Sequence, residues 1–168
     1  MMKKKIGQRG FTLIELLVVI AIIGILASVV LASLNSARDK GSDAAIRSSL
    51  NNMRAQAELW YDSNSQTYGS TAFALASCPT SASSGNIFAD TTIITALGNV
   101  ITNAGGSANT RCYAGGQAWV MSAQLKTGGT AGDAIVDAYC VDSTGAAKNY
   151  TYTAGQNIAN SVNATRCN

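Results

Sequence analysis

"KKKIGQRGFTLIELLVVIAIIGILASVV", Lys3 to Val30, decides how this chain is organised. Four cations, Lys3, Lys4, Lys5 and Arg9, precede an apolar run from Phe11 to Leu34 in which Glu15 is the only charge. Twenty-four residues make a helix about 36 Å long, enough to cross a hydrocarbon core of about 30 Å. The cations hold their end in the cytoplasm by the positive-inside rule, so everything after about Ser36 is expected to face outward. A secretory signal peptide cleaved after Ala32 and a plain membrane anchor both fit this outline. Neither accounts for Glu15, because a carboxylate in lipid is costly and gives a leader or an anchor nothing.

The rest of the composition points away from catalysis and from nucleic acid. The net charge of +3 belongs to the leader; of twelve basic residues only eight lie beyond Gly10, against nine acidic ones. That balance offers no basic face for a polyanion, so no specific nucleic-acid partner is expected. The chain has no histidine, which removes the commonest general base and histidine-based metal ligation. No phosphate-binding glycine loop, dinucleotide fingerprint or paired-carboxylate motif occurs. The reading is of a protein that is not an enzyme and needs no cofactor or metal. Only 12% of residues are charged, a composition suited to an exported or assembled protein.

"GFTLIEL", Gly10 to Leu16, resembles the N-terminus of type IV pilins and pseudopilins, and the resemblance runs through the apolar helix to about Tyr61. It implies cleavage after Gly10 by a prepilin peptidase, N-methylation of the new terminal residue Phe11, and a role for Glu15 in assembly. The physics of Glu15 agrees with that role. Cleavage creates a positive amine on Phe11, about one turn from the carboxylate, and a helix N-terminus itself favours a negative group. In a filament the amine of a neighbouring subunit can pair with Glu15 in an apolar core, where an error of register leaves both charges unpaired. One position departs from the family: many pilins carry proline where this chain has Ala32, although Gly24 matches a frequent glycine. Alanine is the strongest helix former, so a continuous helix is expected here.

Beyond Leu34 the helix is expected to continue, since Ile46, Leu50, Met53, Ala57 and Trp60 recur at steps of 4, 3, 4 and 3. Arg47, Asn51, Arg54 and Glu58 occupy the other side, Gly41 is a candidate bend, and "DSNSQTYGS" from Asp62 ends the helix. Asp90 is placed to cap a second helix with Ile93, Ile94, Leu97 and Ile101 on one face, closed by Gly105-Gly106. Strands are expected at Ala118–Leu125, Asp133–Asp142 and, more weakly, Asn149–Thr153, with "KTGGTAGD" as the loop between the first two. "DSTG" at Asp142 reads as a turn in preference to a calcium loop, which needs more oxygen ligands. Asn149-Tyr150-Thr151 and Asn163-Ala164-Thr165 fit a glycosylation sequon, a short signal.

Cys78, Cys112, Cys140 and Cys167 all follow the apolar segment and include no CxxC pair, so two disulfides are expected in place of a zinc site. Of the three connectivities, Cys78 with Cys112 and Cys140 with Cys167 closes two moderate loops without threading. The complete expectation is an α+β, pilin-like fold: a long N-terminal helix on a small antiparallel sheet. Its parts are a leader (1–10), a membrane or filament-core half-helix (11–34), an amphipathic half-helix (35–62) and an extracytoplasmic head (63–168). The expected function is a structural subunit that self-assembles into a type IV pilus or pilus-like filament. Its partners are then the prepilin peptidase, the inner-membrane assembly machinery and, before assembly, the cytoplasmic membrane, with a surface pilus or periplasmic pseudopilus afterwards. A pseudopilin of type II secretion and a membrane-anchored, non-polymerising binding module are the alternatives.

Overall fold

The computed structural model describes residues 10–128 and 130–168. The leader cations Lys3, Lys4, Lys5 and Arg9, and Gly129 of the predicted loop, lie outside the described residues. The chain divides into two compact units, Met1–Ala37 and Arg38–Asn168.

Helix α1, Leu13–Ser63, is 51 residues long and runs without interruption through Gly24, Ala32 and Gly41. Its first part is apolar enough to span a membrane: the most apolar window has a mean hydropathy of 3.0, and none of it is buried within the chain. From Asp43 onward the helix becomes amphipathic, burying Asp43, Ile46, Leu50, Met53 and Ala57. Trp60, the last member of the predicted stripe, is half-buried against the same core. Ser65 and Gln66 then take left-handed backbone angles and end the helix.

Five antiparallel strands follow in chain order across one sheet: β1 (Gly69–Ala76), β2 (Thr110–Gly116), β3 (Ala118–Gln124), β4 (Ala138–Asp142) and β5 (Ala147–Tyr150). Helix α2, Thr91–Ala104, lies between β1 and β2 in sequence. Asp90 caps α2 by accepting from Thr92 and Ile93 N–H, and Gly105 ends it at φ +89°. Its buried face is Ile93, Leu97, Val100 and Ala104; the predicted Ile94 and Ile101 are only half-buried. These residues join Ile46, Leu50 and Met53 of α1 and Trp119, Met121 and Val141 of the sheet in one core. The fold is α+β, a long N-terminal helix packed on a small antiparallel sheet.

The sequence reading treats the sheet as having one covered face. The structure covers both. On the second face, Val120 and Cys140 pack with Val162 and Cys167 of the C-terminal segment. A short hairpin, β6 (Val162–Asn163) with β7 (Arg166–Cys167), carries these residues. The buried Ser122 hydroxyl lies 2.6 Å from that of Ser161, and Ile158 packs with Ala138 and Tyr152. Five consecutive residues of β3, Trp119 to Ala123, are therefore buried.

Two predicted strands change extent. The predicted strand from Asp133 begins at Ala138, and β5 starts at Ala147 and stops at Tyr150. The β3–β4 loop takes residues 133–137 instead: Leu125 N–H donates to Asp137 C=O, and the Gly128 backbone lies against Val136 and Asp137. Strands β1 and β2 have no counterpart in the prediction.

Candidate functional site

The start of α1 holds the predicted processing and assembly residues. Gly10 and Phe11 precede the helix and are exposed, Phe11 to 80%. Thr12 is the N-cap: its carbonyl accepts from Leu16 N–H, the first helical bond. Glu15, at the third helical position, completes a reciprocal capping box. Its Oε2 accepts from Thr12 N–H at 2.8 Å and from the Thr12 hydroxyl at 2.6 Å, while Thr12 Oγ1 accepts from Glu15 N–H at 3.3 Å. Sequence reasoning assigned Glu15 a partner on another subunit and missed Thr12. The T-x-x-E spacing, Thr12 to Glu15, was the signal for it.

From Leu13 to Leu34 the large apolar side chains are all open, between 44% and 80% exposed. A face of this kind is not stable in water, because apolar surface costs about 25 cal/mol per Å² to leave hydrated. It demands lipid or protein around it.

The polar side of the second half of α1 is not simply a solvated face. Arg47 donates to Asn149 Oδ1 and stacks over the Tyr139 ring, 4.9 Å from its centre. Asn51 Nδ2 donates to the Tyr139 hydroxyl at 2.9 Å, and Arg54 donates to Gly145 C=O at 2.7 Å. Glu58 accepts from the Tyr68 hydroxyl at 2.9 Å. Burial, with the hydrogen bond to Glu58 and the Glu58 charge, pushes Tyr68 up to about 12. A groove of about 520 Å³ opens between these residues and the turn after β4. On its helical wall Asn51, Arg54 and Glu58 are occupied by their bonds to Tyr139, Gly145 and Tyr68.

Asp43 has no counterpart in the sequence reading. It is 7% exposed, and its carboxylate accepts from Lys126 N–H at 2.5 Å, Thr127 N–H at 3.2 Å and the Thr127 hydroxyl. It fixes the start of the β3–β4 loop to α1.

The "DSTG" turn is built on Asp142, 2% exposed. Its Oδ1 accepts from Thr144 N–H, the Thr144 hydroxyl and Ala146 N–H, and its Oδ2 from Cys167 N–H at 2.9 Å. Burial works to raise its carboxyl, but the bonds from Thr144, Cys167 and Ala146 prevail and hold it below the usual value. Among the described residues no group of three or more His, Cys, Asp or Glu is placed to hold a metal ion. Disulfides join Cys78 to Cys112 and Cys140 to Cys167.

A family model described as "Prokaryotic N-terminal methylation motif" matches residues 5–31, which include Gly10, Phe11, Thr12 and Glu15. The type IV wide pilus major component PilA4 of Thermus thermophilus is 45% identical over 62 residues, 36% of this chain. These matches support the type IV pilin family. The aligned part spans 47% of that relative, about half its length. No solved structure matches the chain. The matched motif, residues 5–31, thus takes in the capping box and most of the exposed apolar part of α1. Together the motif and that helix support membrane anchoring.

Proposed function

We propose that this chain is a structural subunit of a type IV pilus or pilus-like filament, its function residing in assembly. The observation that carries this reading is the methylation motif over residues 5–31, set on a helix whose apolar side chains find no cover within the chain. In this reading prepilin peptidase cuts between Gly10 and Phe11, both exposed, and the new Phe11 amine is methylated. Before assembly, residues 11–34 span the cytoplasmic membrane once with the N-terminus inside, and the cysteine-bridged head faces out. On assembly those residues leave lipid for the helices of neighbouring copies, guided by the assembly machinery. Glu15 then exchanges Thr12 for the Phe11 amine of a neighbour. The relative's description as a major pilus component supports a filament-forming role.

Mass spectrometry of the native protein is expected to find its terminus at a methylated Phe11; a terminus at Ser33 refutes the reading. Glu15→Ala is expected to insert and to be processed yet to yield no filaments in sheared surface material. Filaments at the unsubstituted level overturn the role given to Glu15.

A further inference from the structure

The two disulfides share an arrangement on opposite faces of the sheet. In each, one cysteine sits on a sheet strand, Cys112 on β2 and Cys140 on β4, and the other arrives from a segment outside the five-stranded sheet. Residues two apart on a strand project from the same face. In each case the residue two away from the strand cysteine holds the arriving one. Thr110 is fully buried, and its Oγ1 accepts from Cys78 N–H at 3.2 Å while the hydroxyl donates to Ser107 C=O at 2.7 Å. Asp142 Oδ2 accepts from Cys167 N–H at 2.9 Å while Oδ1 closes the turn through Thr144 and Ala146. Each acceptor is thereby fixed by a second set of bonds that does not involve the cysteine.

We propose that Thr110 and Asp142 are the pairing determinants of this head: each seats the backbone of the arriving cysteine beside its strand partner before sulfur meets sulfur. They thereby select one of three connectivities. Four thiols lose four electrons and four protons in all; two S–S bonds form, and two disulfides of an exported disulfide oxidant take up those electrons and protons, giving four thiols. Seating raises the effective concentration of the correct thiol against its partner and leaves the wrong pairs at the value set by chain length.

The test uses the full-length chain in detergent micelles, reduced and then equilibrated in a buffer of reduced and oxidised glutathione. Peptide mapping after acid quenching measures each bridge separately. Asp142→Asn keeps one carbonyl acceptor for the turn and turns an N–H₂ group toward Cys167. It is expected to lower the equilibrium constant of the Cys140–Cys167 bridge about tenfold or more and to leave Cys78–Cys112 within about twofold. Thr110→Val is expected to do the converse, lowering Cys78–Cys112 about threefold to tenfold, and Thr110→Ser to restore it. A general loss of stability lowers both bridges together in each variant; that result, or no change in either bridge, overturns the proposal. Unsubstituted protein reduced at Cys140 and Cys167 gives an independent reading. The Cys167 amide is expected to stay protected from hydrogen exchange in that form, and free exchange there refutes seating before closure.

Discussion

Asp43→Ala is a direct test of how the head is held to its helix. The substitution removes the acceptor of Lys126 N–H, Thr127 N–H and the Thr127 hydroxyl. Hydrogen bonds to a charged group are worth about 1.5–3 kcal/mol each when the group left behind stays buried. Lys126 is exposed and Thr127 half-buried, so water replaces much of what is lost, and the three bonds together should contribute about 2–3 kcal/mol. Asp43→Asn keeps one acceptor and should cost about 1 kcal/mol. The loop's far end is held independently, by Leu125 N–H on Asp137 C=O and by Gly132 N–H on Tyr152 C=O. The damage should therefore be local. Urea unfolding of the head would report the stability change, and hydrogen exchange would show protection lost at Lys126 and Thr127 but kept at Leu125. A stability change under about 0.5 kcal/mol with the Lys126 amide still protected would refute the reasoning.

Gly128→Ala places a Cβ 2.3 Å from Val136 O and 2.4 Å from Asp137 Cα; backbone must move, and a loss of about 1–3 kcal/mol is expected in thermal unfolding. Acid should loosen the C-terminal hairpin. Burial opposes ionisation of both Asp142 and Asp90, but hydrogen bonds outweigh it and depress both carboxyls below 3.8. Their contribution is complete above that value and lost as pH falls through the depressed folded values, so exchange protection at Cys167 should drop below about pH 4. Replacing Cys140 and Cys167 together by serine opens a loop with a sequence separation of 27, worth about 3.5 kcal/mol in the chain-entropy account. Calorimetry should show the loss.

The long helix was legible because its signals are strong. A largely apolar run of 24 residues, then a stripe through Ile46, Leu50, Met53 and Ala57, leave little else to propose. The second helix was legible through Asp90 and Gly105-Gly106, which are chemical stop and start marks. Strand β1 left no such trace, because "GSTAFALA" is mostly small residues and its burial does not alternate. Its pairing with β2 is irregular, with register shifts between Gly69 and Phe73 and between Phe73 and Ala76, so no period of two can show. Strand β2 ends in Gly115-Gly116, two residues with no side chain to show an alternation. In β3, Trp119, Met121 and Ala123 alternate with Val120 and Ser122 in sequence, a pattern that suggests one buried face, yet all five are buried. Val120 and Ser122 are buried by a tail that looks polar in sequence, from which Ile158, Ser161, Val162 and Cys167 reach the sheet. The methylation motif that contains Gly10, Phe11 and Glu15 was legible as a pattern. Asp43 and the pairing of Thr110 and Asp142 with cysteine amides were not, since each depends on residues brought together from distant parts of the chain.

Thr12 changes the energetics of Glu15 in the proposed assembly. An unpaired carboxylate near the end of a membrane helix costs about 2–3 kcal/mol or more, and the sequence offered the Phe11 amine and the helix N-terminus to offset it, without Thr12. The structure gives the carboxylate two donors from Thr12 and a place in a capping box, so the single subunit in the membrane is already partly compensated. What favours correct register is the difference between an ion pair in an apolar core and this capping box. Capping interactions are worth about 0.5–2 kcal/mol, so the difference is smaller than the gross cost, and a subunit can wait in lipid without being driven into any available contact. An amine in the wrong register must then displace Thr12 for an imperfect pair, which returns less than it removes. Thr12→Val leaves Glu15 charged but takes away the hydroxyl. Under this reasoning it should make assembly less selective, with more disordered aggregates in the membrane, and should not abolish it as Glu15→Ala does. Filament yield and regularity by electron microscopy, compared across the two variants, would separate these outcomes, and equal loss of filaments in both would refute the exchange.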